Sequence, residues 1–275
     1  MGNEAFRYDG KRALVVGGAT GMGRATAVAV QELGAEVVVM DYAPVTQDGV
    51  KVISLDLRDE AGIDAAIDEC GGPIDALFSC AGVADGTPGI EKINFIGHRH
   101  LIDRAVGAGM LPRGSAIAMI SSAAGLGWEK DLDELKGYLD TPDFASAVAW
   151  HEANPGHADY MWSKKAICAY VARESFNLLK KGIRLNAILP GPTVTPLAEA
   201  NADLWLTFGQ DFRDATGIEA STPEEQADVL AFLNSYAARY INGVTIVTDA
   251  GYVPAGITGA FPDATPVVDF LRGNY

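Results

Sequence analysis

Gly17-Gly18-Ala19-Thr20-Gly21-Met22-Gly23 stands directly after the apolar run Ala13–Val16 and opens a stretch in which Ala25, Val28, Ala29 and Leu33 recur at helical spacing. Strand, glycine turn and helix in that order leave few folds open. Glycines let a backbone turn sharply and approach a ligand closely, while the free N–H groups and positive dipole end of a helix favour a pyrophosphate. The alternative is a plain glycine-rich turn, which the strand-turn-helix context disfavours. The spacing G-x-x-x-G-x-G differs from the commoner G-x-G-x-x-G. Gly34 follows the helical stretch where a C-terminal cap is expected.

The alternation continues along the chain. Residues 13–16, 37–40, 52–55, 76–78, 116–120, 184–189 and 244–247 read as seven strands buried on both faces. Thr222-Pro223-Glu224-Glu225 supplies a capping box with proline at the first helical position, opening a helix toward Leu233. Strands alternating with helices predict an α/β fold: a doubly wound, parallel, seven-stranded sheet with helices on both faces. A single core can grow to roughly 250–300 residues, and no repeat, low-complexity tract or linker divides this chain of 275. One domain over residues 1–275 is therefore expected.

The formal charge of −15 opposes a nucleic-acid partner, whose affinity would come from Lys and Arg neutralising phosphates. Cys70, Cys80 and Cys168 cannot all pair within the chain and lack metal-type spacing, which suits reduced thiols and a cytoplasmic setting. No stretch approaches the roughly 20 apolar residues that span a bilayer, and Met1–Arg12 has no apolar core of signal-peptide length. His98 and His100 form an H-x-H without a third ligand in view, so surface or core roles are expected and no metal. No G-x-S-x-G or H-E-x-x-H occurs, which leaves hydrolase chemistry without a nucleophile or metal centre.

Asp41 ends the second strand, 24 residues after Gly17, near the distance at which an acid meets the adenosine ribose. A carboxylate there accepts both ribose hydroxyls and repels a 2′-phosphate, favouring NAD over NADP; its other reading is a turn cap. The glycine loop before Gly21 holds no Arg or Lys to pair with an extra phosphate. Asp56-Leu57 either clasps the adenine or begins a helix. Tyr160 and Lys164 stand four apart on a predicted helix running to about Lys180, which places them one turn apart on one face. A free phenol has a pKa near 10, and an adjacent ammonium favours the phenolate. Such pairs also occur on solvated helix faces, so the spacing acquires meaning from its company.

That company, in order, is the glycine loop, Ser79-Cys80-Ala81-Gly82, Asn94, Ile120-Ser121-Ser122, the Tyr/Lys pair and Pro190-Gly191. Over about residues 8 to 253 the chain resembles a classical short-chain dehydrogenase/reductase. The resemblance implies a Rossmann-type sheet, NAD as cofactor and an alcohol or ketone as substrate. It also implies that Ser122 bonds the substrate oxygen, Tyr160 exchanges its proton, Lys164 holds the nicotinamide ribose and Asn94 positions a relay water. Gly17, Thr20, Gly21, Met22, Gly23, Asp41, Asp56, Leu57, Ala81, Gly82, Pro190, Gly191, Thr193 and Thr195 would line the cofactor, with Tyr160 and Lys164 also touching it. Val16 replaces the family's usual Thr, and Ser79-Cys80 replace paired asparagines, which is expected to loosen loop-to-loop bonding. The 38 residues from Ser122 to Tyr160 are more than the family usually keeps. A similar interval, and a segment like 191–197, occur in the bacterial 3α-hydroxysteroid dehydrogenase/carbonyl reductase branch.

The extra residues, about 127–156, carry Leu132, Leu135 and Leu139 at helical spacing among seven acids. They read either as a solvated cover packed on the core or as a wall of the substrate pocket. A homo-oligomer, dimer or tetramer, is expected, and the insertion could also obstruct helix-on-helix subunit packing of the kind common in the family, leaving a smaller oligomer. Leu197, Leu204, Trp205, Leu206, Phe208 and Phe212 read either as a lid over an apolar pocket or as ordinary core helices. His151 and His157 lie near the insertion and are only weak candidates to approach the substrate. The C-terminal extension from Pro254 to Tyr275 lies across this mouth or across a neighbouring subunit. The expected activity is interconversion of a secondary alcohol and a ketone on a bulky cyclic substrate such as a 3α-hydroxysteroid. The rivals are an aryl or terpene alcohol dehydrogenase and a non-catalytic NAD(H) sensor.

Overall fold

The computed structural model describes residues 3–274; Met1, Gly2 and Tyr275, the outer limits expected for the domain and its C-terminal extension, lie outside them. The seven strands are β1 (Arg12–Val16), β2 (Glu36–Asp41), β3 (Lys51–Ser54), β4 (Ala76–Ser79), β5 (Ala116–Ile120), β6 (Arg184–Pro190) and β7 (Thr245–Thr248). They form one sheet in the order β3-β2-β1-β4-β5-β6-β7, every pair parallel. The order reverses between β1 and β4, and that switch point is where an open α/β sheet leaves a crevice beyond the carboxyl ends of its strands.

Alternate side chains of each strand serve opposite layers. Leu14, Val16, Val38, Met40, Leu77, Ile117 and Met119 face one core. Helices α2 (Glu60–Cys70) and α3 (Gly97–Gly107) cover that side. Ala13, Val15, Val37, Val39, Phe78, Ala118 and Ile188 face the other core, beneath α1 (Gly21–Glu32). The insertion is not one helix but two, α4 (Leu132–Leu139) and α5 (Phe144–Ala153), joined by a turn that Tyr138 and Thr141 close. Leu135, Tyr138, Leu139, Phe144 and Ala147 bury into the first core, and the Tyr138 ring meets Phe95 at 5.3 Å. The insertion thus packs as a cover, with its acids paired outward, Asp131 to Lys165 at 2.6 Å and Asp140 to Arg173 at 2.7 Å.

The long helix α6 spans Tyr160–Lys180. After β6 come three short helices, α7 (Pro196–Glu199), α8 (Ala202–Trp205) and α9 (Gln210–Thr216). Helix α10 (Pro223–Asn234) starts with the expected capping box, in which Thr222 and Glu225 exchange hydrogen bonds. Gly34 takes φ +104° beyond α1, as a C-terminal cap requires. The C-terminal extension forms α11 (Tyr252–Thr258) and α12 (Thr265–Leu271). It packs on its own chain: Tyr252, Val253, Ala264 and Val268 make a third core with Phe212, against which Leu126, Phe208 and Phe261 rest. Gly127, where the insertion begins, abuts the Arg272 backbone so closely that a Cβ would lie 2.6 Å from it. No described helix is long and apolar enough to cross a membrane.

Candidate active site

The glycine turn and the loop after β4 are built against one another. Cys80 and Ala81 both donate their backbone N–H to the Val16 carbonyl, at 2.8 and 2.9 Å. A Cβ on Gly17 would lie 2.4 Å from the Ala81 backbone, and one on Gly23 would lie 1.9 Å from the Gly17 carbonyl oxygen. Neither position admits a side chain. The loosening expected from Ser79 is offset by a residue that sequence reasoning left without a role here, His98. Its Nε2 lies 3.0 Å from the Ala81 carbonyl, which can only accept, so Nε2 carries the proton and Nδ1 accepts the Ser79 hydroxyl at 2.7 Å. Burial lowers the pKa of His98 to about 4, keeping the ring neutral.

A cavity of about 390 Å³ opens over this turn. Gly17, Thr20, Gly21, Met22 and Gly23 line it, with Asp41, Asp56, Leu57, Ala81, Gly82 and Thr195. Asp41 lines this cavity and serves as a turn cap. Its Oδ2 accepts the Ala19 N–H of the glycine turn at 2.8 Å and its Oδ1 accepts the Ala43 N–H at 2.8 Å. Tyr42 and Arg58, unremarked in the sequence, share this wall. The Arg58 guanidinium is spent in a two-pronged pair with Asp56, at 2.9 and 2.7 Å, which holds the Asp56 carboxyl below the usual range. Pro190 and Gly191 close the end of β6, where Gly191 donates to the Thr248 carbonyl at 3.1 Å. Thr193 turns away from the cavity to Ser221, with hydroxyl oxygens 2.8 Å apart.

Ser122, Tyr160, Lys164 and Asn94 converge beside the cavity. A Cβ placed on Gly82 would stand 3.6 Å from both the Lys164 Nζ and the Asn94 Oδ1. Lys164 is buried and donates to the Ile120 carbonyl at 3.0 Å, and its Nζ lies 5.3 Å from the Tyr160 ring centre. The Ser122 hydroxyl bears on the Tyr160 phenol and favours its ionised form. Burial pushes the Tyr160 phenol up to about 12 and the Lys164 ammonium down to about 8. Asn94 sits in a single π-helical turn, Lys92–Ile96, and its side-chain amide is turned to the loop after β4. Its Oδ1 accepts the Val83 N–H at 2.8 Å and its Nδ2 donates to the Val83 carbonyl at 3.0 Å.

Trp205 of α8 covers Tyr160, with ring centres 5.0 Å apart. The lid segment is therefore divided: 202–206 lies over the site, while Phe208 and Phe212 belong to the third core. His151 and His157 instead join an aromatic cluster with Tyr138 and Trp150 of the insertion and Trp162 of α6. Among the described residues no group of three or more His, Cys, Asp or Glu could hold a metal ion.

This parallel sheet, with its glycine turn and Ser-Tyr-Lys centre, is that of a nicotinamide-dependent oxidoreductase fold. Residues 11–130 match the pattern of the short chain dehydrogenase family, and residues 144–253 match one described as Enoyl-(Acyl carrier protein) reductase. A coniferyl-alcohol dehydrogenase of Pseudomonas sp. (strain HR199 / DSM 7063) is 30% identical over 252 residues, covering 88% of this chain and 96% of the relative. A 3-alpha-hydroxysteroid dehydrogenase/carbonyl reductase of Comamonas testosteroni is 30% identical, covering 86% and 95%. The solved 3-alpha-hydroxysteroid dehydrogenase from Pseudomonas sp. B-0831, complexed with NADH, superposes with a TM-score of 0.73 at 27% identity, covering 91% of this chain and 99% of that one. The chain belongs to the short-chain dehydrogenase/reductase family, with relatives in the hydroxysteroid dehydrogenase branch.

Proposed function

We propose that this protein interconverts an alcohol and a carbonyl compound with NAD(H), acting on a secondary alcohol carried by a bulky apolar ring. The observation that carries the reading is the meeting of Ser122, Tyr160, Lys164 and Asn94 beside a cavity floored by the glycine turn. The residues present suit a dinucleotide: the glycine turn offers helix N–H groups, Asp41 on the cavity wall would hold the ribose, and the one arginine on the wall is neutralised by Asp56. Bound there, the nicotinamide would supply the hydride acceptor or donor.

The chain's own groups do the rest. Ser122 and Tyr160 hold the substrate oxygen between two hydroxyls. At neutral pH Tyr160 is protonated, so it is ready to give a proton to a ketone; in oxidation it must first lose it, next to the Lys164 cation. Asn94 fixes the Val83 peptide beside Lys164, and Trp205 partly shields the Tyr160 ring from water. Trp205 also favours a second reading, an aryl alcohol, because its ring presents a flat face at the site. Tyr160→Phe is expected to keep NADH binding, followed by fluorescence, and to lose roughly 10²–10⁴-fold in turnover on a panel of cyclic and aryl alcohols. Undiminished turnover would reject Tyr160 as the proton donor. Tight NADH binding with no turnover by the unaltered protein across the panel would favour a sensor.

A further inference from the structure

Tyr160 is the first residue of α6, where backbone N–H groups lack helical partners. Asp159 takes one of these, the Trp162 N–H, at 2.7 Å. The Tyr160 N–H goes instead to a carboxylate 75 residues away in sequence: Asp85 Oδ1, at 2.6 Å. Asp85 follows Val83, the residue that Asn94 grips with both amide atoms. The other side of the Tyr160 peptide returns to the same place, since Ser163 Oγ donates to the Tyr160 carbonyl at 2.7 Å and accepts from Asn94 Nδ2 at 3.2 Å. Both backbone groups of Tyr160 are thus tied to the loop that walls the cavity.

We propose that Asp85 is a positioning residue for Tyr160, one that locks the start of α6 to the cofactor-side loop and holds a negative charge at the head of the helix that carries the phenol. The inference rests on the proton-transfer role given to Tyr160 above. The groups facing Tyr160 are the Ser122 hydroxyl from the β5 segment, Lys164 from its own helix, the uncharged Trp205 from the lid and Asp85 from the β4 loop. Asp85 carries the negative charge that bears on the phenol, and it adds to burial in raising the Tyr160 pKa. The carboxylate therefore does two separable things. As an acceptor it fixes where Tyr160 stands; as a charge it opposes phenolate.

Asp85→Asn keeps a carbonyl acceptor and removes the charge, whereas Asp85→Ala removes both. With NAD and an alcohol that the unaltered protein turns over, both variants are expected to shift the acidic limb of the kcat/KM profile to lower pH. Asp85→Ala is expected to fall about tenfold further in kcat than Asp85→Asn, because a small misplacement of a reacting group is costly. An ultraviolet difference titration of the phenolate, each protein read against its own Tyr160→Phe version, should move in the same direction. Profiles and titrations that coincide with the unaltered protein, or equal kcat for the two variants, would overturn the proposal. Should Asp85→Ala fail to fold, the Asp85→Asn profile and titration decide alone. The two failures are distinguishable: a wrong enzymatic reading shows as no turnover by the unaltered protein, a wrong role for Asp85 as an unmoved phenolate titration.

Discussion

Burial sets the ionisation of the central pair more strongly than their mutual distance does. From spacing alone, Lys164 is expected to pull the Tyr160 phenol down toward neutrality. In the protein, burial raises the phenol to about 12 and lowers the ammonium to about 8, since each charge is held where water is scarcer than in solution. Asp41 is the residue whose charge is expected to choose the cofactor. Asp41→Asn retains one carbonyl acceptor for the backbone N–H groups of Ala19 and Ala43 but no longer repels a 2′-phosphate. The ratio of kcat/KM for NAD over NADP is expected to fall about tenfold or more, on the scale of one charge-assisted hydrogen bond lost. Steady-state kinetics with the two cofactors side by side check this, and an unchanged ratio would remove Asp41 from the selection.

Among elements, the lid shows how a short helix is held in place without a core of its own. Helix α8 has four residues and buries none of them. Its end is gripped by Arg213 of α9, whose buried guanidinium donates to the carbonyls of Leu206 at 2.5 Å and Phe208 at 2.6 Å and to Gln210 Oε1 at 2.7 Å. Arg213→Met would fill much of the same volume and supply no donor, leaving part-buried acceptors without this partner at about 1 kcal/mol each. The expected result is faster amide exchange over residues 202–210 and a several-fold higher KM for the alcohol, with the KM for cofactor little changed. This grip was not legible in the sequence, because nothing local links Arg213 to Leu206. The strands, α1, α10 and the span of α6 were legible, since each is declared by an apolar run, a cap or a glycine close by. The division of the insertion into two helices was not, because Tyr138 and Phe144 bury against Phe95 and His100, partners supplied by a distant part of the fold. For the same reason the motifs named Asn94 but not Asp85 or His98, whose roles lie in contacts between loops.

Across the whole molecule the sheet ties its outer layers to the site through buried polar groups, and two of these make stability depend on pH. His98 bridges β4 and the Ala81 carbonyl, and His151, on α5 of the insertion, packs against Tyr138 at 4.7 Å. Burial lowers both pKa values to about 4, from an ordinary value of 6.5. The folded protein therefore holds both rings neutral, while the unfolded chain takes up protons as the pH drops through 6.5. Stability from this source is intact above 6.5 and declines between 6.5 and about 4, at a slope approaching about 1.4 kcal/mol per pH unit for each ring. The lowered carboxyls of Asp56 and Asp143 act in a different window, at and below the usual carboxylate range. Urea midpoints are accordingly expected to be level from pH 8 to 7 and to fall steeply by pH 5. A double variant, His98→Gln with His151→Phe, should start from a lower midpoint and lose much less of it over that interval. If both proteins decline in parallel, the neutral buried histidines are not what makes the fold sensitive to acid.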